Sequence, residues 1–153
     1  MSRPFTVALL TLLAFSLPVS AKAPLTDLSA LQWKHRVLLL NAASANQANL
    51  FQTRLLRASD EVQARHLYWF IVPADINADT PLLSNYPGTV SSQLGRQLKR
   101  TYFRSSTDRI VLIGKDGGIK YTDRTLQFKT LWARIDAMPM RKAEMREADP
   151  QQQ

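Results

Sequence analysis

Hydrophobic residues along the chain form short continuous blocks separated by stretches with helical spacing. The blocks 37–40 and 66–72 are continuous rather than alternating, which is typical of strands covered on both faces in a parallel sheet. Between them, Phe51, Leu55 and Val62 recur at helical spacing and predict an amphipathic helix. This order predicts two parallel strands joined by a right-handed crossover.

The predicted first helix has a recognisable start. Ser44 stands three residues before Gln47, the spacing of a capping box, in which side chains satisfy the free backbone N–H groups of the first turn. We therefore expect this helix to begin near Ser44.

A long connection, residues 73–88, follows the second strand and is rich in Pro, Asn, Asp and Ser. Connections of this length are usually functional or disordered. A second helix is predicted next, because Val90, Leu94, Leu98 and Tyr102 are each four residues apart. The opposite side of this helix carries a basic face, on which Phe103 is also expected, and its cations are Arg96, Lys99, Arg100 and Arg104.

The last third of the domain predicts a β-hairpin and a third helix. Asp116-Gly117-Gly118 separates two strand-like runs, 109–113 and 119–122, and tight hairpin turns favour glycine because it adopts positive φ readily. Apolar residues at helical spacing over 128–135 predict the helix, which Pro139 should end. The charged and polar residues 140–153 are expected to form a disordered tail.

The order strand, helix, strand, helix, strand, strand, helix is that of the thioredoxin fold. It predicts an α/β domain over residues 22–139 with a central four-stranded mixed sheet, made of a βαβ unit followed by a β-hairpin and a helix. In that fold the reactive loop joins the first strand to the first helix, here residues 41–46. No cysteine lies there or elsewhere in the chain.

Residues 1–21 have the layout of a secretory signal peptide. Arg3 precedes an apolar run, and small residues lead to Ala21. We expect cleavage after Ala21, with Ala23 as the alternative, and hence a periplasmic or secreted protein with no stable membrane anchor. Losing Arg3 would lower the net charge from +8 to +7, and such a balance favours anionic partners.

Three segments resemble the bacterial family called domain of unknown function 4174. They are residues 31–40 (LQWKHRVLLL), residues 111–120 (VLIGKDGGIK), and residues 135–141 (IDAMPMR) followed by 144–146 (EMR). The resemblance implies an exported protein with a thioredoxin-like or peroxiredoxin-like fold. It brings no established activity, cofactor or catalytic residue.

The residue types exclude some chemistry. Thiol redox and peroxidase reactions need a thiolate, which this chain lacks. His35 and His66 stand at the starts of two predicted strands, whereas sites in open α/β sheets form at the carboxyl ends. Because two histidines without a nearby carboxylate are also too few zinc ligands, we expect neither a metal nor a cofactor.

The candidate binding residues fall in two regions, the loop before the first helix and the basic face of the second helix. Ser44 and Asn46 lie at a predicted helix N-terminus, which favours anions, although Ser44 has no predicted base and is expected to act as a cap. The basic face could meet several phosphates or sulfates. Lys115 and Lys120 are expected in a solvated turn, and Met138-Pro139-Met140 with Arg141 is expected to pack against a helix end or a partner.

These features predict an exported, cysteine-free binding module with no catalytic residue. Its expected partner is an anionic envelope component or a protein, and not a nucleic acid, because no nucleic-acid motif accompanies the basic face. The alternative is an enzyme of unknown chemistry that uses the loop between strand one and helix one as an anion pocket.

Overall fold

The computed structural model describes residues 23–76, 80, 82–104 and 109–148, so the predicted signal peptide lies outside the described residues. A 3₁₀ turn, Leu28–Leu31, precedes the sheet. The strands are β1 (Arg36–Ala42), β2 (Leu67–Pro73), β3 (Leu83–Ser84), β4 (Ile110–Ile113) and β5 (Ile119–Asp123). The helices are α1 (Ala45–Arg57), α2 (Ser59–Ala64), α3 (Ser92–Tyr102), α4 (Phe128–Asp136) and α5 (Pro139–Ala148).

The described strands form one mixed sheet in the order β3-β2-β1-β4-β5. β1 and β2 are parallel, with Arg36 opposite Leu67, and the other neighbours are antiparallel. The predicted parallel pair and the hairpin are therefore confirmed. The predicted count of four strands is wrong, because β3, from the long connection, adds a fifth strand beside β2. With only two residues, β3 is too short to leave a periodic pattern in the sequence.

The sheet is the middle layer between two apolar cores. Alternate residues of β1 face opposite cores: Leu38 and Leu40 face α1, α2 and α4, whereas Val37 and Leu39 face α3 and the segment before β1. This double coverage explains why β1 and β2 are continuous apolar blocks in the sequence. No helix in the described ranges is long and apolar enough to cross a bilayer.

The described part of the long connection packs on α3. Ile76 and Leu82 lie so close to Gly95 that a Cβ there would overlap the Ile76 side chain. Leu94 and Leu98 are buried as predicted. The prediction that Phe103 lies on the basic face is wrong, because α3 ends at Tyr102 and Phe103 leaves the helical path with φ −124° and is only 5% exposed.

The prediction of a disordered tail is wrong over residues 140–148, which belong to α5; residues 149–153 lie outside the described part. The third predicted helix, α4, ends at Asp136, before Pro139 as expected. Pro139 then begins α5, because the first helical position needs no N–H donor and suits its fixed φ. None of the residues of α5 is buried, so its position depends on polar contacts.

Candidate functional site

One polar region lies at the carboxyl end of β1, and we call residues 41–47 the loop edge. Ser44 Oγ accepts a hydrogen bond from Gln47 N at 3.2 Å. Gln47 Oε1 in turn accepts from Ala43 N at 2.7 Å. The predicted helix start is confirmed, and Ser44 caps α1.

Cations from two neighbouring elements reach this edge. Lys99 Nζ, from α3, donates to Asn41 Oδ1 at 3.0 Å. Arg109, just before β4, donates from Nη1 to Gln47 Oε1 at 2.8 Å. The structure therefore joins the basic face of α3 to the loop edge through Lys99. It also adds Arg109, which was not predicted as a site residue.

Most of the other predicted binding residues face solvent. Arg100 and Arg104 are exposed, as are Ser44 and Asn46, whereas Arg96 is half-buried. Arg100 Nε donates to the Arg96 carbonyl oxygen at 3.4 Å. Among the residues that the structure describes, no salt bridge joins the basic face to a carboxylate. Its charge is thus available to a partner.

A second polar region, at the opposite edge of the sheet, was missed from the sequence. Arg36, at the start of β1, is 1% exposed, and its Nη1 and Nη2 each donate to the Glu144 carboxylate at 3.1 Å. Arg36 Nη1 also donates to the Arg65 carbonyl oxygen at 2.9 Å. Lys115 Nζ lies 2.8 Å from Glu144 Oε1. We call Arg36, His66, Lys115, Arg141 and Glu144 the amino-edge cluster.

His66 completes one side of this cluster. Lys115 Nζ lies 3.0 Å from His66 Nδ1, and because an ammonium group can only donate, Nδ1 must accept and the ring is neutral with its proton on Nε2. Burial, followed by the charge of Lys115, lowers the pKa of His66 below its ordinary value of 6.5. Its backbone has φ +47°, a conformation that is uncommon outside glycine.

The second histidine lies beside the first. The His35 and His66 rings are 6.5 Å apart, and His35 stacks on Tyr68 at 4.1 Å. Burial lowers the pKa of His35, and repulsion from His66, whenever that ring is protonated, and from Lys115 lowers it further. The two histidines, at the starts of the parallel strands β1 and β2, are therefore neighbours. The expectation that no carboxylate is near is wrong, because His66 Nδ1 is 3.9 Å from Glu144 Oε2.

Glu144 carries the negative charge of the cluster. Burial alone would raise the pKa of its carboxyl group, but hydrogen bonds from Arg36 and Lys115, together with their charges, lower that pKa from 4.5 to about 2. The carboxylate is therefore ionised at neutral pH and holds α5 against the sheet edge.

A second carboxylate, Asp136 at the end of α4, extends the network. Arg65 Nη2 lies 2.7 Å from Asp136 Oδ2, and Arg141 Nε lies 3.3 Å from Asp136 Oδ1. Arg141 Nη1 is also 3.6 Å from Glu144. The prediction that Lys115 lies in a solvated turn is wrong, because Lys115 is 8% exposed and paired.

The sequence contained one indication of this arrangement. Each of the three family-like segments contributes to the network: Arg36 comes from the first, Lys115 from the second, and Asp136, Arg141 and Glu144 from the third. Their convergence could not be derived from spacing alone, because the partners are up to 108 positions apart. Within the described ranges, no three His, Asp or Glu side chains are grouped so that they could hold a metal ion.

The fold and its two polar edges define a mixed α/β domain built on a five-stranded sheet, without any cysteine. The chain belongs to the family described as Domain of unknown function (DUF4174), whose model matches residues 27–144. No curated protein and no solved structure matches the chain.

Proposed function

We propose that this protein is an exported, non-catalytic binding module with a thioredoxin-like scaffold, and that it recognises an anionic partner. Two structural regions support the proposal separately. The order of the strands supports a thioredoxin-like scaffold. The basic surface supports an anionic partner.

The scaffold part rests on topology. Four strands, in the order β2-β1-β4-β5 with only β1 and β2 parallel, have the arrangement expected from a βαβ unit followed by an antiparallel hairpin. The short strand β3 is then an addition at one edge. The loop edge occupies the place of the reactive loop but has no cysteine, so the scaffold is better suited to binding than to electron transfer.

The hydrogen bond from Lys99 to Asn41 carries the binding part of the proposal. It brings the basic face, whose Arg100 and Arg104 are exposed, into contact with the loop edge beside the N-terminus of α1, where free backbone N–H groups and the helix dipole favour negative charge. Arg109 adds a further cation beside Gln47. An anionic partner could thus meet both features at once.

The geometry gives less support to the enzyme alternative. Ser44 Oγ accepts the capping hydrogen bond from Gln47 N, and the chain's two histidines, His35 and His66, lie at the opposite edge of the sheet. A serine nucleophile needs a base within hydrogen-bond reach to take its proton. We therefore retain the binding role as the proposed function.

The test reverses the charge of two exposed residues, Arg100 and Arg104. The double variant Arg100→Glu/Arg104→Glu should lower retention on anionic envelope fractions more than about tenfold, because each basic residue near an anionic surface contributes on the order of 1 kcal/mol. Vesicles of phosphatidylcholine with and without phosphatidylglycerol would show whether an anionic lipid is sufficient.

A matched control is Arg57→Glu/Lys129→Glu, which changes the net charge equally at exposed positions on α1 and α4. It should keep most of the binding. Equal losses in the two double variants would show that only net charge matters and would contradict the proposed surface. Turnover of phosphorylated or acylated substrates that Ser44→Ala abolishes would instead favour the enzyme.

A further inference from the structure

A cavity of about 270 Å³ adjoins the amino-edge cluster, on the side away from the proposed binding surface. Three cationic side chains line it, Arg36, Lys115 and Lys120, together with Asp116 and the apolar segment Met138-Pro139-Met140. Asp116 is engaged by Lys120 at 2.6 Å and accepts a hydrogen bond from Gly118 N at 3.1 Å. Asp116 thus balances Lys120, whereas Arg36 and Lys115 share the single carboxylate of Glu144 and leave one positive charge in excess at this cavity.

The network around the cavity has more positive than negative charge. Within the part of the chain that the structure describes, the cations Arg36, Arg65, Lys115 and Arg141 pair with two carboxylates, Asp136 and Glu144. Because the His66 ring is neutral, two positive charges remain without a compensating carboxylate. Arg36 Nε, moreover, is buried without a hydrogen-bond partner, although buried charged groups are normally fully paired.

We propose that this cavity binds a dianionic oxyanion, such as phosphate or a phosphate monoester. Two negative charges would match the excess of the network, and guanidinium and ammonium groups are the usual protein donors to phosphate oxygens. Met138 and Met140 would contact the organic part of a monoester. This site is separate from the basic face and the loop edge.

Glu144 would compete with such a ligand for the same hydrogen-bond donors. Its carboxylate already receives both Nη atoms of Arg36 and the Nζ atom of Lys115, so it uses the donors that a phosphate would need. Neutralising Glu144 should therefore strengthen anion binding. A purely structural salt bridge would not have this effect.

The experiment titrates the full chain with inorganic phosphate by calorimetry, at pH 7.5 and constant ionic strength kept with sodium chloride. We expect Lys120→Gln to weaken saturable binding about tenfold, because it leaves the Asp116 carboxylate unpaired beside the cavity. We expect Glu144→Gln to strengthen binding about tenfold, the size expected for one charge-assisted contact. Lys129→Gln is the matched control, because Lys129 is exposed at the far end of α4, about 13 Å from Met138. It should leave the affinity unchanged.

A parallel titration with phenyl phosphate tests the methionine contacts. Tighter binding than that of inorganic phosphate indicates a monoester ligand, and equal binding indicates free phosphate. The proposal is overturned if neither the wild-type chain nor Glu144→Gln shows saturable heat. It is also overturned if Lys120→Gln is without effect while Arg100→Glu/Arg104→Glu removes the binding, since the anion would then sit on the basic face.

Discussion

Individual residues of the same type have different roles in this protein according to their depth. Arg36 is almost fully buried and holds Glu144 with two hydrogen bonds, whereas Arg100 and Arg104 are exposed. A buried charge pair is costly to break because the remaining charge stays uncompensated. An exposed cation contributes little to stability and can be replaced, so the exposed cations are suited to testing function.

Ser44 gives a prediction at this scale. Ser44→Ala removes the acceptor for Gln47 N and should lower the free energy of unfolding by about 1 kcal/mol, measured by urea denaturation. Ser92→Ala is the control, because Ser92 is exposed within the first turn of α3 while Ser91 caps that helix. Binding to anionic envelope fractions should be unchanged, and a loss of binding without a loss of stability would assign Ser44 to the site itself.

Among the elements, α5 shows how polar contacts can hold a helix that its apolar pattern would not place. No residue of α5 is buried, and Met140 and Met145 are both exposed. Its position instead depends on Glu144, which pairs with Arg36 of β1 and with Lys115, two residues after β4. It also depends on Arg141, which pairs with the end of α4. Hydrophobic periodicity therefore could not reveal it.

Removing α5 should destabilise the domain mainly through this carboxylate. We expect truncation after Met138 to lower the free energy of unfolding by about 3 to 5 kcal/mol, as for other broken buried ion pairs, and Glu144→Gln to reproduce most of that loss. Truncation after Ala148 is the control and should have no effect. If Glu144→Gln leaves the free energy of unfolding unchanged while truncation after Met138 lowers it, the stabilisation must come from the apolar surface of α5 instead of from Glu144.

The distinction between elements placed by apolar patterns and elements held by polar contacts explains what the sequence could and could not predict. Strands β1 and β2, the cap at Ser44 and the hairpin were predictable, because each depends on neighbours in the sequence or on continuous apolar blocks. The strand β3 and the amino-edge cluster were not. The strand β3 has only two residues, too few to leave a periodic pattern. The partners in the amino-edge cluster are far apart in the chain, as for Arg36 and Glu144, and residue type alone does not distinguish a buried arginine or lysine from an exposed one.

At the scale of the whole molecule, positive charge is divided between the two ends of the sheet. At the carboxyl end of β1, Lys99 and Arg109 donate to neutral side chains. At the amino end, cations surround carboxylates and a neutral histidine. The first arrangement leaves charge for a partner, and the second, in addition to its excess positive charge, makes folding depend on protonation.

Stability should consequently fall in two stages as the pH is lowered. The pKa values of His35 and His66 are below 6.5 in the folded protein, so the unfolded chain binds more protons and stability decreases as the pH falls below about 6.5. Glu144, with its pKa lowered from 4.5 to about 2, contributes about 3 kcal/mol that is lost between those values. Asp27 and Asp116 also have lowered pKa values, so their protonation at acidic pH lowers the stability further.

Urea denaturation at a series of pH values, in phosphate-free buffers, separates the two stages. The double variant His35→Gln/His66→Gln should flatten the first decline and leave the second, whereas Glu144→Gln should remove most of the second. Lys129→Gln should change neither, because no ion pair of Lys129 occurs within the described part of the chain. A wild-type stability that rises on acidification from pH 7 to 5 would mean that the histidines are charged in the folded state, and would contradict the hydrogen bond from Lys115 to His66.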